Sequence, residues 1–326
     1  MSYTNGLDDP SSVFQTVIYT GNATARAITF DGNSDMQPDW VWGKQRSGTD
    51  SHQVSDSVRG ATKKLNPDTN AAEDTTSTHV TAFNSNGFSV GTGGGYNGNT
   101  IAQVAWSWKE TATAGFDIVS YTGSGSAKTV SHSLSAVPKM IIVKNRSSTR
   151  NWCVFHASLG ATNFVKLNLN TASAASAGRW NDTAPTSSVF TVGDDAEVNS
   201  NGDSYIAYCF AEKKGYSKFS SYTGNGNADG AFVHLGFKPA FVMWKRTDTA
   251  NNWMMGDNKQ TPFNPQDNMM RADLANAQLS TNPVDFLSNG FKIRLTGNAF
   301  NNSGGTYIYM AFAEQPFVTS TGVPAT

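Results

Sequence analysis

The sequence predicts an all-β protein made of three tandem antiparallel β-sandwich repeats of about 100 residues each. First, the triplet Tyr-Thr-Gly recurs at positions 19–21, 121–123 and 222–224, at intervals of 102 and 101 residues. Second, short segments rich in β-branched and aromatic residues alternate with clusters of Gly, Ser and Asn, a pattern typical of strands joined by tight turns. Third, helical periodicity is weak along the chain.

Other positions recur at the same spacing. A proline follows the triplet in each copy, at Pro38, Pro138 and Pro239, and six residues after it stands a lysine, at Lys44, Lys144 and Lys245. Each copy closes with an aromatic-rich segment that ends in an acid, at Glu110, Glu212 and Glu314. Several matches at one period indicate a repeat architecture. We therefore divide the chain into a lead (1–13), three repeats (14–110, 115–213 and 216–315) and a tail (316–326).

The middle repeat shows the expected strand order most clearly. About seven short strands in about 95 residues favour a two-layer antiparallel sandwich. The predicted strands are Phe116–Tyr121, Lys128–His132, Met140–Lys144, Trp152–Phe155, Phe164–Leu169, Val189–Val192 and Tyr205–Ala211. The best helix candidate in the chain is Asn268–Leu279, where Met269, Leu274 and Ala277 would share one face.

Charge and composition exclude several function classes. Lys plus Arg total 24 and Asp plus Glu total 25, and only 15% of residues are charged. The chain lacks the basic stripe that nucleic-acid binding requires, and no apolar run is long enough to cross a bilayer. The first ten residues lack the pattern of an export signal. Cys153 and Cys209 are expected to be buried thiols.

Residues that recur in all three copies are interpreted as properties of the fold. The lysines and glutamates named above end two strands in each copy, so we expect strand-end ion pairs or solvated ends. Three equivalent proton-transfer sites in tandem would be unusual. The sequence contains no nucleophile elbow and no zinc-binding spacing. We therefore expect no enzymatic activity and no cofactor.

One loop has the spacing of a cation site. Residues 194–203 place oxygen donors at alternate positions, as calcium loops do, with Asp195, Glu197, Asn199 and Asn201 as the candidate ligands. The equivalent loops of the other two copies lack the acids and precede the same final strand. A hairpin connection is therefore favoured over calcium.

Function is expected where the copies differ. The third copy carries an adaptable apolar set typical of subunit interfaces, namely Trp253, Met254, Met255, Phe263, Met269 and Met270; a repacked core is the alternative. In the second copy, an aromatic ring beside polar side chains could stack on a sugar. This candidate glycan or receptor set is Arg179, Trp180, Asn181 and Asp182, with Tyr96 as a weaker member. The alternative is that Trp180 packs onto its own repeat.

Several segments resemble one known group of proteins: Gly6–Pro10, Phe30–Asp35, Asp56–Thr62, Asn181–Thr186 and Tyr307–Glu314. Over essentially its whole length the chain is similar to the tandem-repeat virion proteins of marine tailed bacteriophages, which are often labelled tail-fibre-like. The resemblance implies a component of the particle, and it carries no catalytic motif onto this chain.

The expected function is that of a non-enzymatic virion structural protein, associated with the tail or fibre-like, with attachment to the host surface. The alternatives are a capsid decoration protein and a carbohydrate-binding module. Expected partners are other virion proteins, a host surface glycan and further copies of the chain, with a trimer favoured. The protein would be made in the bacterial cytoplasm and reside on the tail or the capsid exterior. The polar lead, residues 2–12, is the hypothetical docking segment.

Overall fold

Antiparallel β-sheet dominates the part of the chain, residues 7–316, that this computed structural model describes. The all-β class is therefore confirmed. All sheet pairings between named strands are antiparallel, and the helices are single turns. No helix in residues 7–316 has the length and apolar character needed to span a membrane.

The first segment, residues 14–108, forms nine strands and one helical turn. They are β1 (Phe14–Thr20), β2 (Arg26–Ile28), β3 (Trp40–Gln45), β4 (Gln53–Asp56), β5 (Lys63–Lys64), β6 (Asp74–Thr75), β7 (Val80–Asn84), β8 (Gly87–Val90), α1 (Gly94–Asn97) and β9 (Ala102–Trp108).

The second segment, residues 116–210, repeats this order with small changes. Its elements are β10 (Phe116–Thr122), β11 (Lys128–Ser131), β12 (Met140–Asn145), β13 (Cys153–His156), β14 (Asn163–Lys166), β15 (Ala174–Ala175), α2 (Ala177–Trp180), β16 (Val189–Val192), α3 (Ala196–Asn199) and β17 (Ser204–Phe210). Each of the seven strands predicted here overlaps an observed strand.

The third segment, residues 217–316, has longer strands. They are β18 (Ser217–Thr223), β19 (Phe232–His234), β20 (Phe237–Arg246), β21 (Met254–Asp257), β22 (Gln266–Arg271), β23 (Leu279–Leu287), β24 (Gly290–Ile293) and β25 (Thr306–Pro316). The helix predicted over Asn268–Leu279 is wrong. Met269 and Met270 are both fully buried in β22, and pairing with β21 and β23 outweighs a weak helical pattern.

The main sheet has the same strand order in each segment. The first strand pairs with the last, the last with the long central strand, and that strand with the next, giving β1-β9-β3-β4, β10-β17-β12-β13 and β18-β25-β20-β21. A smaller sheet covers the outer face, formed by β2-β8-β7 in the first segment and β11-β16 in the second. In the third segment the corresponding strands join the main sheet, which has eight strands.

Each main sheet is buried on both faces. In β3, Trp40 and Trp42 point into a central apolar cluster, whereas Val41 between them packs outward with Phe88 under the small sheet. The central cluster contains side chains from all three segments. At its centre the ring of Phe312 lies 5.4 Å from Phe14, 5.6 Å from Trp108 and 6.0 Å from Phe210. The segments therefore share one core.

The lead differs from the expectation of a polar docking segment. Residues 1–6 lie outside the described residues, but Leu7, Pro10 and Val13 are buried against the body of the protein. Asp9 caps the short 3-10 turn Pro10–Ser12 by accepting from the backbone amide of Ser11 at 3.0 Å. Residues 7–13 therefore belong to the fold. The tail from residue 317 onward lies outside the described residues.

Candidate functional site

The three segments contact one another in a cycle. In each segment, the strand that follows the central strand ends in a residue whose side chain hydrogen-bonds to a neighbouring segment. These contacts are Asp56 with Tyr208, His156 with Tyr309 and Asp257 with Trp106. Backbone hydrogen bonds follow the same cycle, with amides of Glu73, Ser173 and Gln278 donating to carbonyls of Arg146, Thr247 and Arg46 at 2.8 to 2.9 Å. The first segment thus contacts the second, the second the third, and the third the first. This closes a pseudo-threefold arrangement within one chain.

Each junction has different polar chemistry. At the junction of the first and second segments, Arg59 forms ion pairs within the first segment with Asp56 and, at 3.2 Å, with Glu73, and Arg146 of the second segment also pairs with Glu73 at 2.9 Å. The Tyr208 hydroxyl donates to Asp56 at 2.7 Å. Between the third and first segments, the Trp106 indole donates to the buried carboxylate of Asp257 at 2.9 Å. The polar contacts therefore differ from one junction to the next.

Two buried histidines lie at junctions with the third segment. His156 Nε2 lies 3.1 Å from the Tyr309 carbonyl, and its Nδ1 accepts from the Ser158 amide. His52 Nε2 lies 2.9 Å from the Arg271 carbonyl, and its Nδ1 accepts from the Trp42 indole. Each ring therefore has one nitrogen that carries no proton, so both imidazoles are neutral. Burial lowers the pKa of His52 to about 3 and that of His156 to about 4.

Acid is expected to destabilise the protein through these rings. Below about pH 6.5 the unfolded chain binds a proton on His156 that the folded chain excludes until about pH 4. The free energy of unfolding therefore falls as the pH drops through this window, by about 1.4 kcal/mol per pH unit for one histidine. The measurement is urea unfolding from pH 7 to 4 of wild type and His156→Gln. The variant should lose this part of the slope, and the exposed His234→Gln should keep it. Equal slopes in all three proteins would contradict the interpretation.

The expected Lys–Glu pairs are wrong. Lys44, Lys144 and Lys245 are fully buried, and their ammonium groups donate to backbone carbonyls. Lys144 and Lys245 also reach the carbonyls of Asn70 and Asn170 in the preceding segment, at 3.3 and 3.1 Å. Burial lowers the pKa of all three lysines to about 8. The glutamates bind elsewhere: Glu110 and Glu212 accept from backbone amides, and Glu314 pairs with Lys238.

Two aromatic members of the predicted glycan set are not exposed, which corrects that prediction. Trp180 is the last residue of helix α2, is 1% exposed and packs against Phe155 at 5.8 Å within the outer apolar cluster of its own segment. Tyr96 is fully buried and its hydroxyl donates to the Gln53 carbonyl. Arg179 is held by Asp195 and Glu197. Asn181 and Asp182 are exposed.

Most of the predicted interface set is core, which corrects that prediction as well. Trp253, Met254, Met255, Met269 and Met270 are each at most 2% exposed and belong to the central cluster. The Trp253 indole donates to the carbonyl of Lys166 at 2.9 Å, so this set joins the third segment to the second inside the chain. Phe263 differs from the others, because 79% of it is exposed.

The candidate calcium ligands are largely occupied by protein groups. Asp195 caps helix α3 by accepting from the Glu197 amide, and Glu197 accepts from Asn151 and pairs with Lys166 and Arg179. Asn199 is buried, and Asn201 is exposed. Within residues 7–316, no group of three or more His, Cys, Asp or Glu side chains is placed to hold a metal ion.

Asn199 belongs to a clamp that recurs in each segment. Asn97, Asn199 and Asn301 are fully buried, and each side-chain oxygen accepts from the amide after the Tyr-Thr-Gly triplet, at Asn22, Ser124 and Asn225. The tyrosine of each triplet donates to the carbonyl of the residue directly before the clamping Asn. At the glycine of each triplet, an added Cβ would lie 2.0 to 2.3 Å from a carbonyl oxygen of the same loop. The triplet therefore marks a structural clamp.

Two adjacent clefts open on the face that carries Asp9 and Gln315. The first cleft, of about 260 Å³, lies between the start of the first segment and the end of the third, and Thr16 and Asp31 are among its lining residues. The second, of about 430 Å³, is lined by Phe263 and Gln266 among others. The two clefts share three lining residues, Asn258, Lys259 and Glu314. Among the residues that line the two clefts, Phe263 alone belongs to the interface set predicted from the sequence.

Comparison with known proteins gives a family and little else. No curated protein matches the chain. Among solved structures, a chain titled "Crystal Structure of the STIV MCP" aligns over 92% of this chain and 95% of its own length, at 8% identity and a TM-score of 0.17. A score this low does not indicate a shared fold. A family model matches residues 9–316, nearly the whole described chain. The chain therefore belongs to the family described as Domain of unknown function (DUF7483).

Proposed function

We propose that the chain is a non-enzymatic structural protein of a bacteriophage particle, associated with the tail or fibre-like, whose three repeats are sandwich-type units. The observation that carries this proposal is the cyclic closure of the three segments around one aromatic core. Shared burial and junction-specific polar contacts favour a rigid body over three flexibly linked modules. Rigidity suits a part that holds a fixed position in an assembly.

The two ends of the body differ in a way that supports this role. The described ends of the chain emerge on the face with the two clefts. The opposite end carries the loops that follow the three Tyr-Thr-Gly triplets, where Asn22–Thr24, Ser124–Ser126 and 225–229 are exposed. These loops consist almost entirely of small uncharged residues. We propose that the cleft-bearing face is turned toward the particle components next to it and the loop end toward the surroundings.

Closure within one chain also bears on oligomerisation. The resemblance to phage appendage proteins, which are commonly trimeric, implies a trimer, and three-fold assembly closes without open ends. Here the three segments already contact one another in a cycle within one chain. A single chain therefore has an approximate three-fold arrangement like that of a small trimer. We propose that one chain can occupy a three-fold position in the particle, and a homo-oligomer of the chain stays a prediction.

The test is the location of the chain in particles of the phage that encodes it. Purified particles would be analysed by quantitative mass spectrometry and by cryo-electron microscopy with the chain traced into density. We expect a fixed copy number and density on the tail. Absence of the chain from purified particles would overturn the structural role. Density spread over the capsid lattice would overturn the tail association and identify a decoration protein.

A further inference from the structure

A third cleft, of about 400 Å³, lies at the loop end of the third segment. Two of its lining residues, Asn298 and Ala299, come shortly before the clamp residue Asn301, at the end of the body opposite the first two clefts. Among the described residues that line it, Arg271 alone is charged. We propose that this cleft binds an acidic saccharide, with Arg271 holding the carboxylate of the sugar.

The second segment contains the carboxylate that such a ligand would supply. Glu197 lies two residues before the clamping asparagine of its segment. Its carboxylate accepts from the side-chain amide of Asn151 at 2.7 Å and pairs with Lys166 at 3.2 Å. The equivalent residue of the third segment, again two positions before the clamping asparagine, is Ala299, which lines the cleft. The cleft therefore lies where the second segment holds an acid.

The cation of that ion pair is kept in the third segment. Arg271 pairs with Met254 between strands β22 and β21, as Lys166 pairs with Cys153 between β14 and β13, so the two basic residues are equivalent. Lys166 faces Glu197, whereas Arg271 has no acidic partner in the described part of the chain. Arg271 is also partly exposed, so its guanidinium group can be reached by a ligand.

The buried carboxylate of Asp273 is engaged by other groups. It accepts from the side-chain amide of Asn252 at 2.8 Å and from the backbone amide of Trp253 at 3.1 Å. Burial raises the pKa of this carboxyl, and the charge of Lys245 opposes that rise. Asp273 does not line the cleft. It therefore leaves Arg271 available for the carboxylate of a ligand.

The neutral polar side chains of the lining offer hydrogen bonds that no described protein group uses. Asn251, Ser280, Thr281 and Asn298 are all at least partly exposed, and their side chains have no hydrogen-bond partner among the described residues. Asn252 donates to Asp273, and its side-chain oxygen accepts from no described group. A ligand rich in hydroxyl groups can both donate to and accept from such side chains.

The remainder of the lining is apolar and suits the ring of a sugar. Leu279, Ala299 and Phe300 are partly buried and pack against the central cluster, to which Met254 belongs. A sugar ring has C–H groups on its faces and hydroxyl groups at its edge, so it matches a lining with both kinds of surface. In an acidic peptide, methylene groups separate the carboxylate from the next polar group. A peptide would therefore use fewer of the neutral polar side chains.

The experiment titrates the purified full chain with oligosaccharides of glucuronate, galacturonate and mannuronate by isothermal titration calorimetry. The corresponding oligosaccharides of glucose, galactose and mannose keep the ring and lack the carboxylate, and they should bind about tenfold more weakly. Arg271→Gln should weaken binding of the acidic sugars about tenfold. The exposed Arg150→Gln makes the same chemical change in the second segment and should bind as wild type does.

A second variant, Ala299→Glu, places a carboxylate where Glu197 stands in the second segment. It should lose binding of the acidic sugars, because its own side chain occupies the guanidinium group of Arg271. The unfolding temperature of this variant should equal or exceed that of wild type, since the new carboxylate gains a cation. This measurement separates a filled cleft from a misfolded chain.

Three results would overturn the proposal. They are equal affinity for the acidic and the neutral sugars, equal binding by Arg271→Gln and Arg150→Gln, and undiminished binding by Ala299→Glu. A glutamate-containing peptide that binds the chain when the acidic sugars do not would identify an acidic protein partner instead. The inference goes beyond the proposed structural role, which is tested separately by the presence and location of the chain in the particle.

Discussion

A fragment of residues 115–213, the middle repeat alone, is expected to remain unfolded in water at neutral pH. In the full chain, the inner face of its main sheet presents Met140, Ile142, Tyr208 and Phe210, each at most 1% exposed. These side chains pack into the central cluster shared with the other two segments. Burial of each contributes about 1.5–3 kcal/mol, and a typical domain is stable by only about 5–15 kcal/mol. Exposing the whole face therefore removes most of the stability of the fragment.

Far-UV circular dichroism and two-dimensional NMR of the fragment make the measurement, with the full chain as the control. The full chain should unfold in one cooperative transition, because its core is continuous across the segments. Dispersed NMR signals and cooperative unfolding of the isolated fragment would contradict the prediction. That outcome would mean that each repeat is an independent sandwich with the outer cluster as a sufficient core.

The β-strands were predictable because they are local features. The segment Met140–Lys144 is β-branched and apolar, and turn residues follow it, so its strand is evident without any knowledge of its neighbours. The period of about 101 residues likewise requires only comparison of the chain with itself. Neither feature indicates what the inner face of a sheet contacts. Strands that are apolar on both faces are equally consistent with a central position in one sandwich and with three sheets around a common core.

The candidate sites were harder to predict, for reasons visible in individual residues. Asn199 has the spacing of a calcium ligand, yet Asn97 and Asn301 occupy equivalent positions in the other copies, and that recurrence was the available signal for a structural clamp. Trp180 is next to polar residues in the sequence, but its indole packs against Phe155. The carbonyl partners of Lys144 belong to backbone, which no side-chain motif reveals.

Gln266 and Thr16 illustrate a further limit. Neither belongs to a motif, and they come from the third and first segments. The first cleft exists because the third segment closes onto the first, whereas the second is lined by residues from separate parts of the third segment alone. Phe263 was identifiable as a large apolar residue on a long connection, whereas its exposure depends on how the loop is fixed to Phe286. Sites formed by closure of a chain on itself require the structure.

Arg59→Met is expected to lower the free energy of unfolding by about 3–5 kcal/mol. The guanidinium group is fully buried and joins Asp56, Glu73, Tyr208 and the carbonyl of Val54 at the junction of the first and second segments. Methionine fills a similar volume but leaves the Asp56 carboxylate buried without its cation. Burial raises the cost of an uncompensated charge, so the loss should exceed that of an ordinary hydrogen bond.

Urea unfolding at pH 7 measures the effect, and the exposed Arg150→Met provides the same chemical change without burial. That control should lie within about 0.5 kcal/mol of wild type. Tyr208→Phe removes one donor to Asp56 and should cost less, about 1–2 kcal/mol. If Arg59→Met instead matches Arg150→Met, the Arg59 ion pairs contribute no measurable stability to the junction. The large effect would show that the buried Asp56 carboxylate depends on its cation, whereas the buried Asp257 carboxylate at the junction of the third and first segments accepts from the neutral donors Trp106 and Gln260.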